Sequence, residues 1–265
     1  MEYEKHIESE ARVIKYENDI HGRTVMASQH YHDIFEIYYL EYGECNYFID
    51  DKSYEVKAGD LVLIPKGTIH KTMYGEGTHS RRLIYCSDHF IPASVVELLP
   101  SMLYLYRNPD ISERIRQIFI EIEAEYTLND AFSIDAIMDH LHLLFYLLAR
   151  NREKNSSTHK NSIYTTQAIS YIKKNYQSQI RLADIARQSS ISPEHLSRIF
   201  KSETGFGVSE YLTMVRLQRA ESILRNNSSV PISEVAYTCG FNDSNYFSDK
   251  FKRVYGVPPT KIRKK

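Results

Sequence analysis

The chain has 265 residues, enough for two domains, and its 42% hydrophobic content is ordinary for a globular protein. The net charge of −1 is unevenly spread: from Thr165 onward there are 16 Lys and Arg against 8 Asp and Glu, and before it 17 against 26. A basic last third after an acidic start is typical of a nucleic-acid-binding module joined to another domain. No apolar run reaches the ~18 residues of a membrane span, and the charged amino terminus does not resemble a signal peptide. The three cysteines have no CxxC spacing, which argues against a disulfide framework and places the chain in a reducing cytoplasm.

Residues 1–108 are predicted to form a small antiparallel β-barrel or jelly roll. Short apolar or alternating runs are separated by Gly, Pro and Asp turns, which is the pattern of closely spaced antiparallel strands. The predicted strands cover residues 34–40, 47–49, 54–56, 61–64 and 83–86.

Three histidines and one glutamate mark the interior of this predicted barrel. Side chains alternate between the two faces of a strand, so His30, His32 and Glu36 are predicted to point the same way. His70 is expected to arrive from an opposing strand. The pattern resembles both cupin motifs and consists of His30, His32, Glu36 and Gly43, then Gly59, Pro65, Gly67 and His70, with Tyr74 where asparagine is usual.

Three interpretations of this set are open. The imidazoles and the carboxylate can hold a first-row transition metal in an enzyme or a metal sensor. They can instead hydrogen-bond a small polar effector, with Arg23, Tyr38 and Tyr47 as predicted pocket neighbours suited to a hydroxylated molecule. They can also be retained wall residues without a present role.

A helical segment over 109–150 is predicted to follow the barrel. Apolar residues recur at helical spacing over 111–126 and again over 132–150. The second helix carries Ile137, Leu141, Leu144 and Leu148, for which core packing and a dimer contact are both open. The polar stretch 151–164 is predicted to be a linker to a DNA-binding domain over 165–265.

The last hundred residues contain the same helix-turn-helix pattern twice. Ala186 and Ala236 are 50 residues apart, whereas Phe200 and Phe251 are 51 apart, so the second turn has one extra residue. The helix that joins the two units has roughly 18 residues and spans ~27 Å. With its loop ends, this approaches the ~34 Å of one DNA turn, so one chain can read two successive major grooves.

The outward faces of the two second helices supply the predicted DNA contacts. Arg198 is predicted to bind guanine bidentately, Asn245 adenine, and Glu194 the amine of cytosine. The predicted base-facing residues are Glu194, His195, Ser197 and Arg198, then Ser244, Asn245, Tyr246, Ser248 and Asp249. The predicted phosphate contacts are Lys201, Lys250, Lys252 and Arg253.

This region resembles the DNA-binding domain of AraC/XylS-type transcriptional regulators over about 165–263. The resemblance implies a seven-helix bipartite domain, sequence-specific activation or repression, dimerisation and control by a small molecule, often a sugar. Asp249 departs from the family, which often has a basic or neutral residue on that face. The resemblance rests on Ile185, Ala186, Leu196–Lys201, Gly205, Arg219, Ala220, Ile232, Val235, Ala236, Gly240, Phe241, Tyr246, Phe247, Phe251, Lys252, Gly256 and Pro259.

The sequence therefore predicts an α+β protein with two domains, an antiparallel cupin-like barrel with helices and an all-α double helix-turn-helix. The predicted function is effector-controlled transcriptional regulation without catalysis, because turnover would remove the molecule that the protein reports. We expect no cofactor, and as partners double-stranded DNA, a small-molecule effector, a second copy of the chain and RNA polymerase. The alternative is a metal-dependent cupin enzyme or metal sensor fused to a DNA-binding domain, and a third class is a helical protein-interaction module.

Overall fold

Two antiparallel sheets form the first part of the computed structural model, which describes residues 7–9, 12–19, 34–152, 161–227 and 229–263. The strands are β1 (Ile7–Ser9), β2 (Arg12–Asp19), β3 (Phe35–Tyr42), β4 (Glu44–Ile49), β5 (Lys52–Lys57), β6 (Leu61–Ile64), β7 (His70–Tyr74), β8 (Ser80–Cys86) and β9 (Leu105–Tyr106). The larger sheet has the order β1-β2-β8-β3-β6-β9 and the smaller sheet the order β5-β4-β7.

The two sheets face each other across a shared interior. Tyr38 and Leu40 of β3 belong to the same buried cluster as Tyr47 and Ile49 of β4. Their neighbours in β3 point to the other side of the larger sheet, as the period of two requires. The predicted antiparallel, cupin-like N-terminal domain is confirmed.

The strand predictions were accurate where the strands are apolar and incomplete where they are polar. The predicted strand 61–64 coincides with β6. β2 was not predicted as a strand, and β7 was expected only as the strand that carries His70, without bounds. Half of the residues of β2 are charged, and β7 alternates buried residues with Lys71 and Met73, so neither contains a long apolar run.

A layer of helices covers the outer face of the larger sheet. It consists of α1 (Ala93–Val96), α2 (Pro109–Leu128) and α3 (Ser133–Arg150). Asn108 caps α2 by accepting a hydrogen bond from the backbone N–H of Asp110. Four α3 residues were considered for a dimer contact, and all four are fully buried in this core, so a dimer contact by these residues is wrong. They are Ile137, Leu141, Leu144 and Leu148.

The C-terminal part is all-helical, as predicted. Its helices are α4 (Ile163–Asn175), α5 (Leu182–Gln188), α6 (Pro193–Thr204), α7 (Val208–Asn226), α8 (Ile232–Thr238), α9 (Ser244–Tyr255) and α10 (Pro259–Ile262). We call α5–α6 the first unit and α8–α9 the second unit. The turn between α8 and α9 is one residue longer than that between α5 and α6, which confirms the predicted insertion.

Each unit has its own apolar core, and both cores include residues of α7. Leu196 and Phe200 of α6 pack with Tyr211 of α7, and Phe247 and Phe251 of α9 pack with its later residues. The predicted boundaries between domains stay a prediction, since residues 153–160 of the proposed linker lie outside the described residues. Among the described helices, none is both long and apolar enough to cross a bilayer.

Candidate functional site

A polar cluster lies in the interior between the two sheets. Glu36 of β3 is fully buried, and the hydroxyl of Tyr47 donates a hydrogen bond to Glu36 Oε1 at 2.5 Å. Burial, together with the Glu36 carboxylate, raises the pKa of Tyr47 well above its usual range. The hydroxyl therefore stays protonated and acts as a donor to a carboxylate that burial would otherwise destabilise.

His70 of β7 lies on the other side of the same carboxylate. Its Nε2 atom is 3.4 Å from Glu36 Oε2, and its Nδ1 atom is 2.8 Å from the carbonyl oxygen of Thr68. Because a carbonyl oxygen only accepts, Nδ1 carries a proton and Nε2 is the atom that faces Glu36. The fold thus brings together Glu36, Tyr47 and His70 from three different strands.

Further aromatic and basic side chains extend the cluster beyond the residues that were predicted. The hydroxyls of Tyr38 and Tyr74 lie 3.2 Å apart, and the Tyr74 ring stacks on His79 at 3.7 Å between centroids. Arg81 is buried, with its guanidinium carbon 5.9 Å from the centre of the Tyr74 ring. Arg81 and Leu83 are two residues apart in β8, so their side chains lie on the same, inner face of the sheet. A strand predicted from Ser80 onward would have placed Arg81 in the interior.

The remaining predicted pocket residues, Arg23, His30 and His32, lie outside the described residues. Of the four candidate metal ligands, the described part of the chain therefore contains Glu36 and His70. Within that part no three His, Cys, Asp or Glu side chains are grouped to hold a metal ion. By themselves these two side chains are an incomplete ligand set for a transition metal.

Helix α6 is the second helix of the first unit, which we call the first recognition helix, and it presents a free face. Ser192 caps the helix by accepting a hydrogen bond from the backbone N–H of His195 at 3.2 Å, and Pro193 occupies the first turn. Leu196 and Phe200 are buried on the opposite side. The predicted contact residues on the free face are exposed or half-buried: Glu194, His195, Ser197, Arg198 and Lys201.

The second recognition helix, α9, begins at a cap whose side chain accepts two hydrogen bonds, whereas the cap of α6 accepts one. The carboxylate of Asp243 accepts hydrogen bonds from the backbone N–H groups of Asn245 and Tyr246, both at 2.7 Å. Phe247 and Phe251 are fully buried and anchor the helix to its unit. The exposed predicted contacts are Asn245, Tyr246, Asp249, Lys252 and Arg253, and the half-buried ones are Ser244, Ser248 and Lys250.

Two predicted contact pairs are already in contact on the helix surfaces. The Arg198 guanidinium donates a hydrogen bond to His195 Nδ1 at 3.2 Å, so the two side chains are presented together. Lys250 Nζ lies 5.4 Å from the centre of the Tyr246 ring. Each pair restricts the positions that its cation can take.

A junction between α7, the loop after α4 and the turn of the second unit helps to place the two units. Arg216 of α7 donates hydrogen bonds to the carbonyl oxygens of Tyr176 and Ser178, each at 2.7 Å. Gly240, in the turn of the second unit, lies against this loop, and a β-carbon there would be 2.5 Å from Tyr176 O. α7 has 19 residues and therefore spans ~28 Å. The length of α7 and this junction together set the position of α6 relative to α9.

Known proteins match both parts of the chain. Residues 15–144 match the AraC-like ligand binding domain, and residues 185–265 match a helix-turn-helix domain. The chain is 26% identical over 243 residues to the HTH-type transcriptional activator RhaS of Escherichia coli (strain SE11), covering 89% of this chain and 87% of that protein.

Solved structures with similarity include the C-terminal domain of AraT, a response regulator from Geobacillus stearothermophilus. It is 32% identical with a TM-score of 0.38, and covers 40% of this chain and 87% of that one. ToxT from Vibrio cholerae O395 is 16% identical with a TM-score of 0.40, and covers 96% of this chain and 97% of that one. By its two domain matches, in this order along the chain, and its similarity to RhaS, the protein belongs to the AraC family of DNA-binding transcriptional regulators that carry a ligand-binding domain.

Proposed function

We propose that this protein is a transcriptional activator whose DNA binding is controlled by a small polar molecule held between its two sheets. The observation that carries the proposal is the convergence of Glu36, Tyr47 and His70 in the interior of an AraC-like ligand-binding domain. Activation, as opposed to repression, follows the description of RhaS as an activator.

The chemistry of the interior favours a hydroxylated effector. Glu36 supplies an acceptor and Arg81 supplies donors, while Tyr38 and Tyr74 can act as either. Hydrogen bonds in such a buried site are stronger than in water and select the ligand by geometry. Sugars are the leading class, because a sugar offers several hydroxyls at fixed spacing.

The two recognition helices would then read two successive major grooves. We assign Arg198 and Asn245 to base contacts, since both are exposed on the outward faces of their helices. Lys201, Lys252 and Arg253 are assigned to phosphates, which position the protein without specifying sequence. As partners we propose RNA polymerase and a second copy of this chain, with the protein acting in the cytoplasm on chromosomal DNA.

Dimerisation is assigned to the solvent-facing side of α3, since its other side is core. That side includes Asp139 and Tyr146, both exposed, with His142 half-buried between them. The Tyr146 and His142 rings lie 6.4 Å apart between centroids.

We do not propose a catalytic activity, because a sensor that consumed its effector would remove the molecule that it detects. The second candidate is a metal sensor, favoured by the 3.4 Å approach of His70 Nε2 to Glu36 Oε2. Metal analysis of full-length protein purified without chelator distinguishes the two. Stoichiometric metal that is lost in His70→Ala supports the metal sensor, and metal-free protein supports the polar effector.

The DNA assignment is tested by selecting binding sites from a random duplex library with the full chain. Arg198→Ala should weaken binding by about 1–3 kcal/mol and relax the preference at one base position. Lys201→Ala, on the same helix, should weaken binding to all sequences alike and lower the salt dependence. The assignment of Arg198 fails if its variant behaves as the Lys201 variant does.

A further inference from the structure

The apolar core of the first unit continues into the N-terminal domain. Phe48 of β4 is fully buried, and its ring centroid lies 5.9 Å from those of both Phe206 and Tyr211 in edge-to-face contacts. Ile69 is 1% exposed and belongs to the same cluster. These contacts cover the outer face of the three-stranded sheet, the side away from Glu36.

Hydrogen bonds surround this apolar contact. Ser53 Oγ of β5 lies 2.7 Å from the carbonyl oxygen of Glu203, at the end of α6. The Tyr211 hydroxyl donates to the carbonyl oxygen of Asp50 at 3.2 Å. Further along α7, Gln218 Nε2 donates to the carbonyl oxygen of Gly67 at 2.7 Å.

A third group of contacts comes from β7. The Lys71 ammonium lies 4.8 Å from the centre of the Phe206 ring and 3.7 Å from Glu210 Oε1. Lys71 and Met73 approach Gly205 so closely that a β-carbon there would lie 2.8 Å from Lys71 Cδ and 3.0 Å from Met73 Cγ. All three groups of contacts reach the first unit or α7.

The same strands line the polar cluster on their other face. On β4, Tyr47 points to Glu36 while the next residue, Phe48, points to the helices. On β7, His70 points to Glu36 while Lys71 and Met73 point to the helices. Successive side chains are joined through one peptide unit, so a shift of the strand toward a ligand also moves the residues that hold the first unit.

The contact leaves the DNA-reading face of α6 open. Glu194, Ser197 and Arg198 are exposed, and the part of α6 that touches the sheet is its C-terminal end near Glu203. Docking therefore constrains the orientation of the first unit without covering the surface that meets DNA.

We propose that the three-stranded sheet is the coupling element of this regulator. Its inner face responds to the ligand and its outer face holds the first unit, so the effector acts by changing how firmly that unit is docked. A ligand can do this only if its affinity differs between the docked and loosened states. The proposal rests on the proposed function for the identity of the ligand, whereas the coupling itself can be measured without one.

The chain contains no tryptophan, so one introduced tryptophan can report on docking. Met73→Trp places it against Gly205 at the contact, and Tyr237→Trp on exposed α8 is the control. Both reporters are made in full-length protein. They are combined with Tyr47→Phe on the inner face, or with the double change Ser53→Ala and Gln218→Ala on the outer face.

The double change should move the emission of the Met73→Trp reporter to longer wavelength and raise its quenching by acrylamide. Tyr47→Phe, which touches none of the docking contacts, should alter the same reporter and leave the Tyr237→Trp control unchanged. DNA affinity should change by roughly 3- to 10-fold in each variant, and the two effects should be non-additive.

The proposal is overturned if Tyr47→Phe leaves the Met73→Trp reporter unchanged while the double change alters it, or if the effects on DNA affinity add. Thr72→Val on β7 is the second inner-face variant should Tyr47→Phe fail to fold, and the same outcomes apply to it. A chain that binds all DNA alike would refute the proposed function. Coupling would still be supported if the reporter responds to the inner-face variant.

Discussion

Gly240 gives the sharpest prediction about how the two DNA-binding units are held together. Its φ of +88° lies in the left-handed region, where an L-residue costs roughly 1–2 kcal/mol. A β-carbon would also lie 2.5 Å from Tyr176 O and 2.9 Å from Arg216 Nε. The loop would have to move and weaken the Arg216 hydrogen bond to Tyr176 O, at a further cost of about 1–2 kcal/mol. Gly240→Ala should therefore reduce the free energy of unfolding by about 2–4 kcal/mol.

The matched control is Gly256→Ala. Gly256 directly follows α9 with a φ of +73°, but among the described residues no atom beyond its chain neighbours lies within 4 Å of its β-carbon position. It should lose only the backbone contribution of roughly 1–2 kcal/mol. Urea unfolding of both full-length variants, followed by the circular dichroism of the helices, measures the difference. Equal losses in the two variants would refute the claim that the turn packs tightly on the loop after α4.

Three further predictions follow from the cluster and the second unit. Tyr47→Phe removes the hydrogen bond to buried Glu36 and should reduce the free energy of unfolding by about 1.5–3 kcal/mol, while Tyr42→Phe at an exposed site should not. Burial lowers the pKa of His79 below its usual 6.5, so the unfolded chain binds the proton more readily, and stability should fall as the pH drops below about 6.5. In His79→Gln, the free energy of unfolding should depend less on pH in this range. An unchanged pH dependence would argue against this role of His79. Asn245→Ala should relax the preference for adenine at one position of the selected site, with about 1–3 kcal/mol lost there; an intact preference would assign that base to another side chain.

The C-terminal helices could be predicted well because nearby residues, through apolar spacing and helix caps, set where each helix begins and ends. The duplicated pattern of apolar residues predicted two helix-turn-helix units joined by a helix of roughly 18 residues, and the structure contains both units and the 19-residue helix α7. α4 begins at Ile163, inside the stretch 151–164 that was predicted to be a linker, because Ser162 caps it by accepting a hydrogen bond from the backbone N–H of Thr165. A serine at the end of a polar stretch is hard to recognise as a helix cap before the helix that it caps is known.

The polar cluster could be predicted only in part. Parity within β3 gave Glu36, and motif spacing gave His70, but the approach of Tyr47 depends on the register between strands. Tyr74 and Arg81 were missed as site residues because both lie in polar segments whose strand character comes from their neighbours. Pairing between distant strands is a tertiary property, so no local pattern contains it.

The docking of the first unit on the three-stranded sheet could not be predicted at all. Phe48 was part of an apolar strand segment, and nothing in its sequence neighbourhood distinguishes a sheet core from a domain contact. The same holds for Ile137 and Leu141, whose helical spacing suits a core and a dimer contact equally.

We propose that a small molecule bound beside Glu36 controls DNA binding. The most direct test screens sugars and other polar hydroxylated molecules for a rise in melting temperature of the full chain. The affinity for the selected duplex is then measured with and without the molecule that raises it. We predict that this molecule changes DNA affinity in the unmodified chain, and that Glu36→Gln abolishes both effects together. Control of DNA binding from this site is contradicted by a molecule that stabilises the chain equally in Glu36→Gln, or that binds without changing DNA affinity.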